Sequence, residues 1–446
     1  MTAQRDKPIL GVCGFNLFTL FVFVTAPVEW RTDNMLELCV FVLFCQLLVF
    51  IGFGLGHHRG EASPPKYKPP FFYADALVHV LFGIYLLTFP ISYAYRMEFS
   101  PFDIPGMVSH LLAGIEDPHF GYRSALVKTG RSPIPWSVYL AVSVFNQLFF
   151  AAGFLHWRHL RRAAKVIFVV LVGIELFYWV GIATSFGVVS LATTWGLSSM
   201  FWRARGVGSR SRKAVGSLAL IVVLLAGSIA FFSYNLYRRS NFVQINVEQS
   251  EVAHARLILD HPAFTVVPEP LWPTYVMVVS YLAQGYYHTC FAFDLDFRST
   301  GMLGSNPALI SLAEAFGIYV WDDTYMHRLQ RKGIDEFGVW HSAYLWYASD
   351  VSFFGVPVLL FFLGYFFGFS WAQGLQGDFL SRLVFIMFGN MLLFLFANNT
   401  YLSSVFYAFM VFVPLWMLTR LSGVALAPRT SYRPALGAPG PVTHQE

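Results

Sequence analysis

Charge is scarce in this sequence. Only 12% of its 446 residues are Asp, Glu, Lys or Arg, whereas a soluble domain carries about 25%. Residues with hydrophobic side chains make up 56% of the chain. A water-soluble protein of this composition would expose large apolar patches. The composition therefore excludes an ordinary soluble domain and favours a protein whose surface lies in a membrane.

Cysteine is scarce as well, and the four cysteines have no metal-binding spacing. Three of them, Cys13, Cys39 and Cys45, lie in apolar runs, so a disulfide framework is not expected. No Gly-rich loop followed by Lys is present to hold a phosphate. The small excess of positive charge lies in short loops and does not suggest nucleic acid. The sequence predicts neither a metal nor a cofactor, and the Asp/His groups at 254–261 and 322–327 are interpreted as solvated loop charge.

Long apolar runs, in contrast, are abundant. Several reach about 18 residues or more, which is long enough for a helix to cross a bilayer. The sequence therefore predicts an all-α fold, a polytopic transmembrane helical bundle of about ten spans, with eleven or twelve as the alternative. The expected spans are 9–28, 35–55, 71–94, 136–156, 166–184, 186–202, 214–236, 344–371, 383–397 and 405–418.

These spans divide the chain into four parts. Residues 1–236 form an N-terminal bundle of seven spans, which includes an outer loop at 95–135. Residues 237–344 form a large loop with short amphipathic helices, and 345–420 contain the last three spans. The tail at 421–446 is rich in Pro, Gly, Ala and Arg and is expected to be disordered.

Lysine and arginine indicate the orientation. Basic residues are enriched in short cytoplasmic loops of membrane proteins. Placing both termini in the cytoplasm collects the basic clusters on that side and leaves the two long loops outside. These clusters are Arg5 and Lys7, Arg59 to Lys68, Arg158 to Lys165, Arg203 to Lys213, and Arg382. Within the second loop, Tyr275 to Phe293 is expected to be an interfacial helix broken at Gly285.

Several basic residues lie on the outer side, which this charge bias depletes. A guanidinium binds phosphate oxygens with two parallel hydrogen bonds and keeps its charge. A substrate carrying pyrophosphate at the membrane face would need such groups. The alternative is that these side chains extend along the membrane surface or pair with nearby acids such as Asp296. The candidate pyrophosphate-binding residues are Arg123, Lys128, Arg131 and Arg298, and Arg328 belongs to the same outer set.

Two further residues are candidates for acid–base chemistry. Asp350 lies near the start of an apolar span, where an ionisable group is costly and often functional. His341 precedes it by nine residues. The alternatives are that Asp350 only complements a helix dipole and that His341 is structural. Outer aromatic residues belong to an interfacial belt or stack on sugar rings. The sugar-binding candidates are Tyr281, Tyr286, Tyr287 and Trp340.

Three short motifs carry a family resemblance. They are Ser280-Tyr-Leu-Ala-Gln-Gly-Tyr-Tyr287, Thr300-Gly-Met-Leu-Gly-Ser305 and Asp350-Val-Ser-Phe-Phe-Gly355. In this order the chain resembles the oligosaccharide repeat-unit polymerase family (Wzy, O-antigen polymerase type), whose pattern is Tyr-Leu-x-x-Gly-Tyr-Tyr, Gly-x-Gly and Asp-Phe-Gly-x-x-Gly. The second and third motifs depart from that pattern at Gly301-Met-Leu-Gly304 and Asp350-Val-Ser.

The resemblance implies a metal-independent glycosyltransferase in the bacterial inner membrane, working at its periplasmic face. It would transfer a growing glycan from undecaprenyl pyrophosphate onto the next lipid-linked repeat unit of an O-antigen, capsule or exopolysaccharide. Arg123 and Arg298 would stabilise the pyrophosphate, and His341 or Asp350 would accept the proton of the attacking hydroxyl. Expected partners are the lipid bilayer, the lipid-linked glycan, a chain-length regulator and a flippase.

Three alternatives remain open. An O-antigen ligase would share the layout and the lipid-pyrophosphate donor. A transporter or flippase of envelope glycolipids would show internal repeats and charges near the middle of the membrane, and the sequence shows no repeat of fixed period. A membrane scaffold would tolerate replacement of the outer arginines.

Overall fold

The computed structural model describes residues 7–63, 74–96, 102–117, 136–182, 184, 186–204, 227, 231, 255–334, 341–397 and 400–421. These residues are mostly helical. The helices are α1 (Lys7–Val24), α2 (Met35–Ala62), α3 (Ala74–Arg96), α4 (Ile104–Glu116), α5 (Trp136–His156), α6 (Arg162–Gly181), α7 (Phe186–Ala204), α8 (Ala263–Val266), α9 (Trp272–Ala292), α10 (Pro307–Ala315), α11 (Tyr325–Leu329), α12 (Ala343–Leu375), α13 (Phe379–Leu393) and α14 (Thr400–Leu421). Two short strands, β1 (Val28–Glu29) and β2 (Arg256–Leu257), pair antiparallel.

Four helices are long and apolar enough to cross a membrane: Met35–Ala62, Leu77–Tyr95, Arg162–Gly181 and Ala343–Leu375. Shorter apolar helices are Pro8–Val24, Phe379–Leu393 and Ala408–Arg420. The protein is therefore a helical membrane protein, as its composition predicts. Most of the expected span 214–236 and nearly all of the tail 421–446 lie outside the described residues, and the total of ten spans stays a prediction.

The centre of the bundle is the parallel pair α2 and α12, which approach each other through glycines. Gly52, Gly56 and Gly60 recur every fourth residue on α2, and a Cβ at Gly56 would lie 1.9 Å from the carbonyl oxygen of Tyr365. Gly368 on α12 is equally close to α2, since its Cβ would lie 2.1 Å from a backbone oxygen. Small residues at this spacing let two membrane helices pack backbone against backbone.

One end of the bundle is basic. Here Gln373 near the end of α12 donates to the carbonyl of Gly60 at 2.6 Å, and Arg420 at the end of α14 pairs with the buried Asp378. Aromatic contacts bring two more helix ends to this place: His156–Phe379 at 6.0 Å and Phe201–Trp371 at 4.7 Å between ring centroids. We call it the basic end because it also carries Arg59, Arg158, Arg161, Arg162, Lys165, Arg203 and Arg382.

The opposite end, where α12 begins, is organised by α9. The sequence predicted a helix that is broken at Gly285 and that lies on or dips into the membrane, and the predicted break is wrong. Helix α9 is continuous, and its second half is buried. Gly285 is the point where α9 meets other backbones, because a Cβ there would lie 2.4 Å from the carbonyl oxygen of Phe396 and 3.0 Å from the amide nitrogen of Ser342. Gly285 therefore allows close packing of backbones and does not break the helix.

Candidate functional site

Asp350 fastens a glycine-rich turn to the first part of α12. The turn covers 299–305, between α9 and α10. The Asp350 carboxylate accepts hydrogen bonds from the backbone N–H of Gly304 at 2.8 Å and of Ser305 at 3.0 Å, and also from the Thr300 hydroxyl. Asp350 is only 7% exposed. A carboxylate with three donors and little solvent contact is a structural anchor for this turn.

The backbone around this anchor is strained. Ser352, two residues beyond Asp350, has φ 61° and ψ 167° inside α12, a region that is almost restricted to glycine. The break divides α12 into 343–351 and 353–375. The residue after the break, Phe353, packs on Phe293 and Tyr325 with ring centroids 4.5 and 5.1 Å away. Strain of this kind concentrates at functional sites.

Two arginines lie beside the turn, and we call them the arginine pair. Arg328 on α11 is buried, donates to the carbonyl oxygen of Asp296 at 2.5 Å, and lies 5.6 Å from the ring centre of Tyr325. Arg298 is about half exposed and faces Asp323 at 3.6 Å. Burial, and then the positive charge of Arg298, lower the pKa of the Arg328 guanidinium. The two cations are therefore close enough to repel each other.

The arginine pair and the anchored turn form one unit. The backbone N–H of Tyr325 donates to the Ser349 hydroxyl at 3.1 Å, and the Thr300 hydroxyl lies 2.8 Å from the carbonyl oxygen of Ser349. Ser349 and Asp350 thus hold both α11, which carries Arg328, and the turn that follows Arg298. The candidate site is this unit: the arginine pair, Asp323, the turn 299–305 and the anchor on α12.

His341 lies outside this unit, inside the protein. It is 1% exposed, and neither ring nitrogen has a hydrogen-bond partner among the described residues. Its ring centroid is 5.1 Å from that of His288 on α9. Burial, and then the neighbouring His288, lower the pKa of His341 well below its usual range. His341 is therefore neutral at pH 7 and is shielded from solvent.

The predicted sugar-binding aromatics are divided by the structure. Tyr286 and Tyr287 are fully buried: the Tyr286 hydroxyl lies 2.9 Å from the Thr19 hydroxyl, and the Tyr287 ring packs 5.1 Å from that of Trp30. Both are packing residues here, which corrects their assignment to sugar binding. Tyr281 is only partly buried. The remaining predicted site residues, Arg123, Lys128, Arg131 and Trp340, lie outside the described residues.

The acidic residues of this region are engaged with nearby side chains. Asp294 accepts from Asn34 at 2.8 Å and faces Lys332 at 3.4 Å, and Asp322 faces His327 at 3.6 Å. Within the described ranges, no group of three His, Cys, Asp or Glu side chains is placed to hold a metal ion. These acids therefore balance charge on the surface.

Sequence reasoning missed two members of the site, Thr300 and Asp323. Thr300 is 2% exposed, and its position directly before Gly301-Met-Leu-Gly304 was the available signal. Asp323 was interpreted as solvated loop charge, and its pairing with Arg298 depends on a contact between distant segments. Arg328 was grouped with the outer arginines, but nothing in the sequence indicated that it is buried beside Arg298.

The fold and the site together define a helical membrane protein that holds two arginines beside an anchored turn at one end of its bundle. Comparison of the chain with protein-family models, with curated proteins and with solved structures finds no match to any of them. The function is therefore argued from the site itself.

Proposed function

We propose that the chain is a membrane glycosyltransferase that polymerises oligosaccharide repeat units carried on undecaprenyl pyrophosphate. The arginine pair carries this proposal. Two guanidinium groups held near each other are stabilised by an anion that binds both, and pyrophosphate offers oxygens on two adjacent phosphates. Arg328 is fixed by its buried position, whereas Arg298 is about half exposed and could exchange Asp323 for a ligand.

Binding of pyrophosphate requires little rearrangement of charge. The Arg298–Asp323 pair is 3.6 Å apart and joins two half-exposed groups, and exposed ion pairs contribute about 0–1 kcal/mol. A pyrophosphate with several negative charges would replace Asp323 as the partner of Arg298. The released Asp323 carboxylate would then be next to the reacting groups.

In the proposed reaction, a hydroxyl of the acceptor sugar attacks the anomeric carbon of the donor glycan. The bond between that carbon and the pyrophosphate oxygen breaks, and its electron pair stays on the pyrophosphate, where Arg298 and Arg328 stabilise the charge. The hydroxyl proton passes to a carboxylate, for which Asp323 is placed better than the anchored Asp350 or the buried His341. Asp350 then acts as a positioning residue.

The proposed location is the bacterial inner membrane, with the candidate site on the periplasmic side. The clustering of arginines and lysines at the basic end supports a cytoplasmic position for that end. The termini would then be cytoplasmic. The proposed partners are the lipid-linked glycan, a chain-length regulator and a flippase.

The test is incubation of the purified protein with its lipid-linked repeat unit, followed by electrophoresis of the products. We expect a ladder of polymers. Arg298→Ala should slow its formation about 100-fold, because it removes a group that stabilises the leaving charge. Arg298→Lys should keep part of the rate, since a lysine supplies the charge without the paired geometry. Arg331→Ala is the matched control, because Arg331 is exposed and only three residues from Arg328.

A full-length ladder from the Arg298→Ala, Arg328→Ala double variant would refute the role of the arginine pair. Transfer of glycan to a lipid acceptor without any ladder would indicate a ligase instead. In cells, loss of a polymerase leaves single repeat units on the acceptor, whereas loss of a ligase leaves none. A protein that moves the lipid-linked unit across vesicles without forming new bonds would be a transporter.

A further inference from the structure

Helix α4 has an exposed apolar face. The face comprises Phe102, just before the helix, and Ile104, Val108, Leu112 and Ile115, whose side chains are between 38% and 78% exposed. From Ile104 onward they recur every three or four residues, which places them on one side of a helix. A shallow groove of about 640 Å³ runs along this side and is mostly apolar, with Glu116 the single charged residue among those that line it.

The opposite side of α4 packs on the end of α6. A Cβ at Gly114 would lie 2.0 Å from the carbonyl oxygen of Gly181, and a Cβ at Gly181 would lie 2.4 Å from the His110 ring. Helix α6 is one of the four helices that are apolar and long enough to span a membrane. Beyond its first turn, the exposed side chains of α6 are apolar and include Val166, Val170 and Phe177. Helix α4 is thus packed directly against a span with an apolar exposed surface, and its own exposed face points away from that contact.

The position of α4 along the bundle follows from α6. Helix α6 begins at the basic end, where Lys165 lies 5.6 Å from the ring of Trp157 beside the end of α5. It finishes at Gly181, so α4 belongs to the same end of the bundle as the candidate site. With 13 residues α4 is about 20 Å long, which is too short to cross a hydrocarbon core of about 30 Å.

The charges of α4 are confined to its ends. Asp103 caps the first turn by accepting from the N–H of Gly106 at 3.0 Å, and Glu116 and Asp117 close the helix. A short helix with an apolar face and polar ends is suited to lie parallel to a membrane surface. We propose that α4 lies in the interfacial layer of the bilayer at this end of the protein, with its exposed face and groove in contact with lipid hydrocarbon.

The proposal is independent of the proposed enzyme activity and can be tested by spin labelling. Single cysteines are placed at Val108 and Leu112 in the groove and at Asp117 beyond the helix. The background is Cys39→Ala, because Cys13, Cys45 and Cys290 are buried while Cys39 is partly exposed. The full-length protein is reconstituted in phosphatidylcholine vesicles. Relaxation by oxygen, which dissolves in lipid, is compared with relaxation by a water-soluble nickel chelate.

We expect oxygen to relax the labels at 108 and 112 strongly. The nickel chelate should relax these two labels much less than it relaxes the label at 117. Nickel relaxation equal to that at 117 would show that the face lies in water. Protection from both reagents would show that a protein, such as a partner or a second copy of the chain, covers the face. Either of these two results would overturn the proposal. A label at Ile104 provides a second position on the same stripe.

Discussion

At the scale of single residues, Asp350 is the group on which the candidate site depends most directly. Removing its carboxylate leaves two backbone N–H groups and the Thr300 hydroxyl without their acceptor. Because unmet buried donors cost about 1–3 kcal/mol each, Asp350→Ala should lower the free energy of unfolding by about 3 kcal/mol. It should also speed hydrogen exchange of the 299–305 amides. Asp350→Asn should have a smaller effect, since it keeps one carbonyl oxygen.

Thr300 provides the control for this prediction. Thr300→Val removes one donor to Asp350 and should lower the free energy of unfolding by about 1 kcal/mol. Thr300→Ser keeps the hydroxyl, so the amides of 299–305 should exchange hydrogen at the rate of the parent protein. If Asp350→Ala leaves exchange of the turn unchanged, Asp350 does not anchor it. If Thr300→Val lowers polymer formation in the same proportion as Asp350→Asn, Asp350 acts through the turn and not as a base.

We expect His341 to make the stability of the protein depend on pH. Its folded-state pKa is lowered by burial, so the unfolded chain takes up a proton first as the pH falls through about 6.5. Stability is then complete above that pH and decreases below it. The thermal unfolding midpoint in detergent should therefore fall between about pH 7.5 and 5.5, and His341→Gln should make this decrease shallower.

His327 is the matched control for the pH experiment, because it is a partly exposed histidine that faces Asp322 at the surface. The slope of His327→Gln shows what the replacement of a surface histidine does by itself. An unchanged slope in His341→Gln would mean that His341 does not contribute to the acid sensitivity. The comparison uses slopes, so a uniform loss of stability in either variant does not affect it.

At the scale of helices, the contact between α2 and α12 is set by glycine. Gly56 and Gly54 lie on the same helix, but only Gly56 faces α12: a Cβ at Gly54 would meet nothing within 4 Å. Gly56→Ala should force the helices apart and cost about 1–3 kcal/mol. Gly54→Ala should be neutral or stabilising by up to about 1 kcal/mol, because alanine favours a helix. Thermal unfolding in detergent measures both, and equal effects would contradict the close contact.

The apolar runs predicted most helices, because a span needs a minimum length of hydrocarbon-compatible residues. The expected span 136–156 coincides with α5, and 35–55 lies within α2. The same signal did not show which glycines meet a partner helix, since Gly54 and Gly56 look alike in sequence. It also misjudged α9, where Tyr286 and Tyr287 suggest a membrane surface but fill the interior. Burial of a polar-aromatic helix depends on segments distant in the chain.

At the scale of the whole molecule, the path of the chain between the two ends of the bundle shows which positions can report the orientation of the protein in the membrane. Helix α7 ends at the basic end, where Phe201 meets Trp371. The next described strand, β2, pairs with β1 near the other end. Position 61 at the end of α2 and position 322 just before α11 lie at these two ends, and the predicted span 214–236 would place them on opposite sides of the membrane. The side chains of Glu61 and Asp322 are 51% and 82% exposed, which suits both for labelling.

The last prediction therefore concerns cysteines at these two positions, introduced in the Cys39→Ala background. In intact spheroplasts, a membrane-impermeant maleimide should label Asp322→Cys at once and Glu61→Cys only after the membrane is permeabilised. The reason is the proposed cytoplasmic position of the basic end, since basic loops are enriched on that side. The reverse order would show that the orientation is inverted and that the candidate site faces the cytoplasm. Labelling of both from the same side would show that an even number of spans separates them, in conflict with a crossing between α7 and β2.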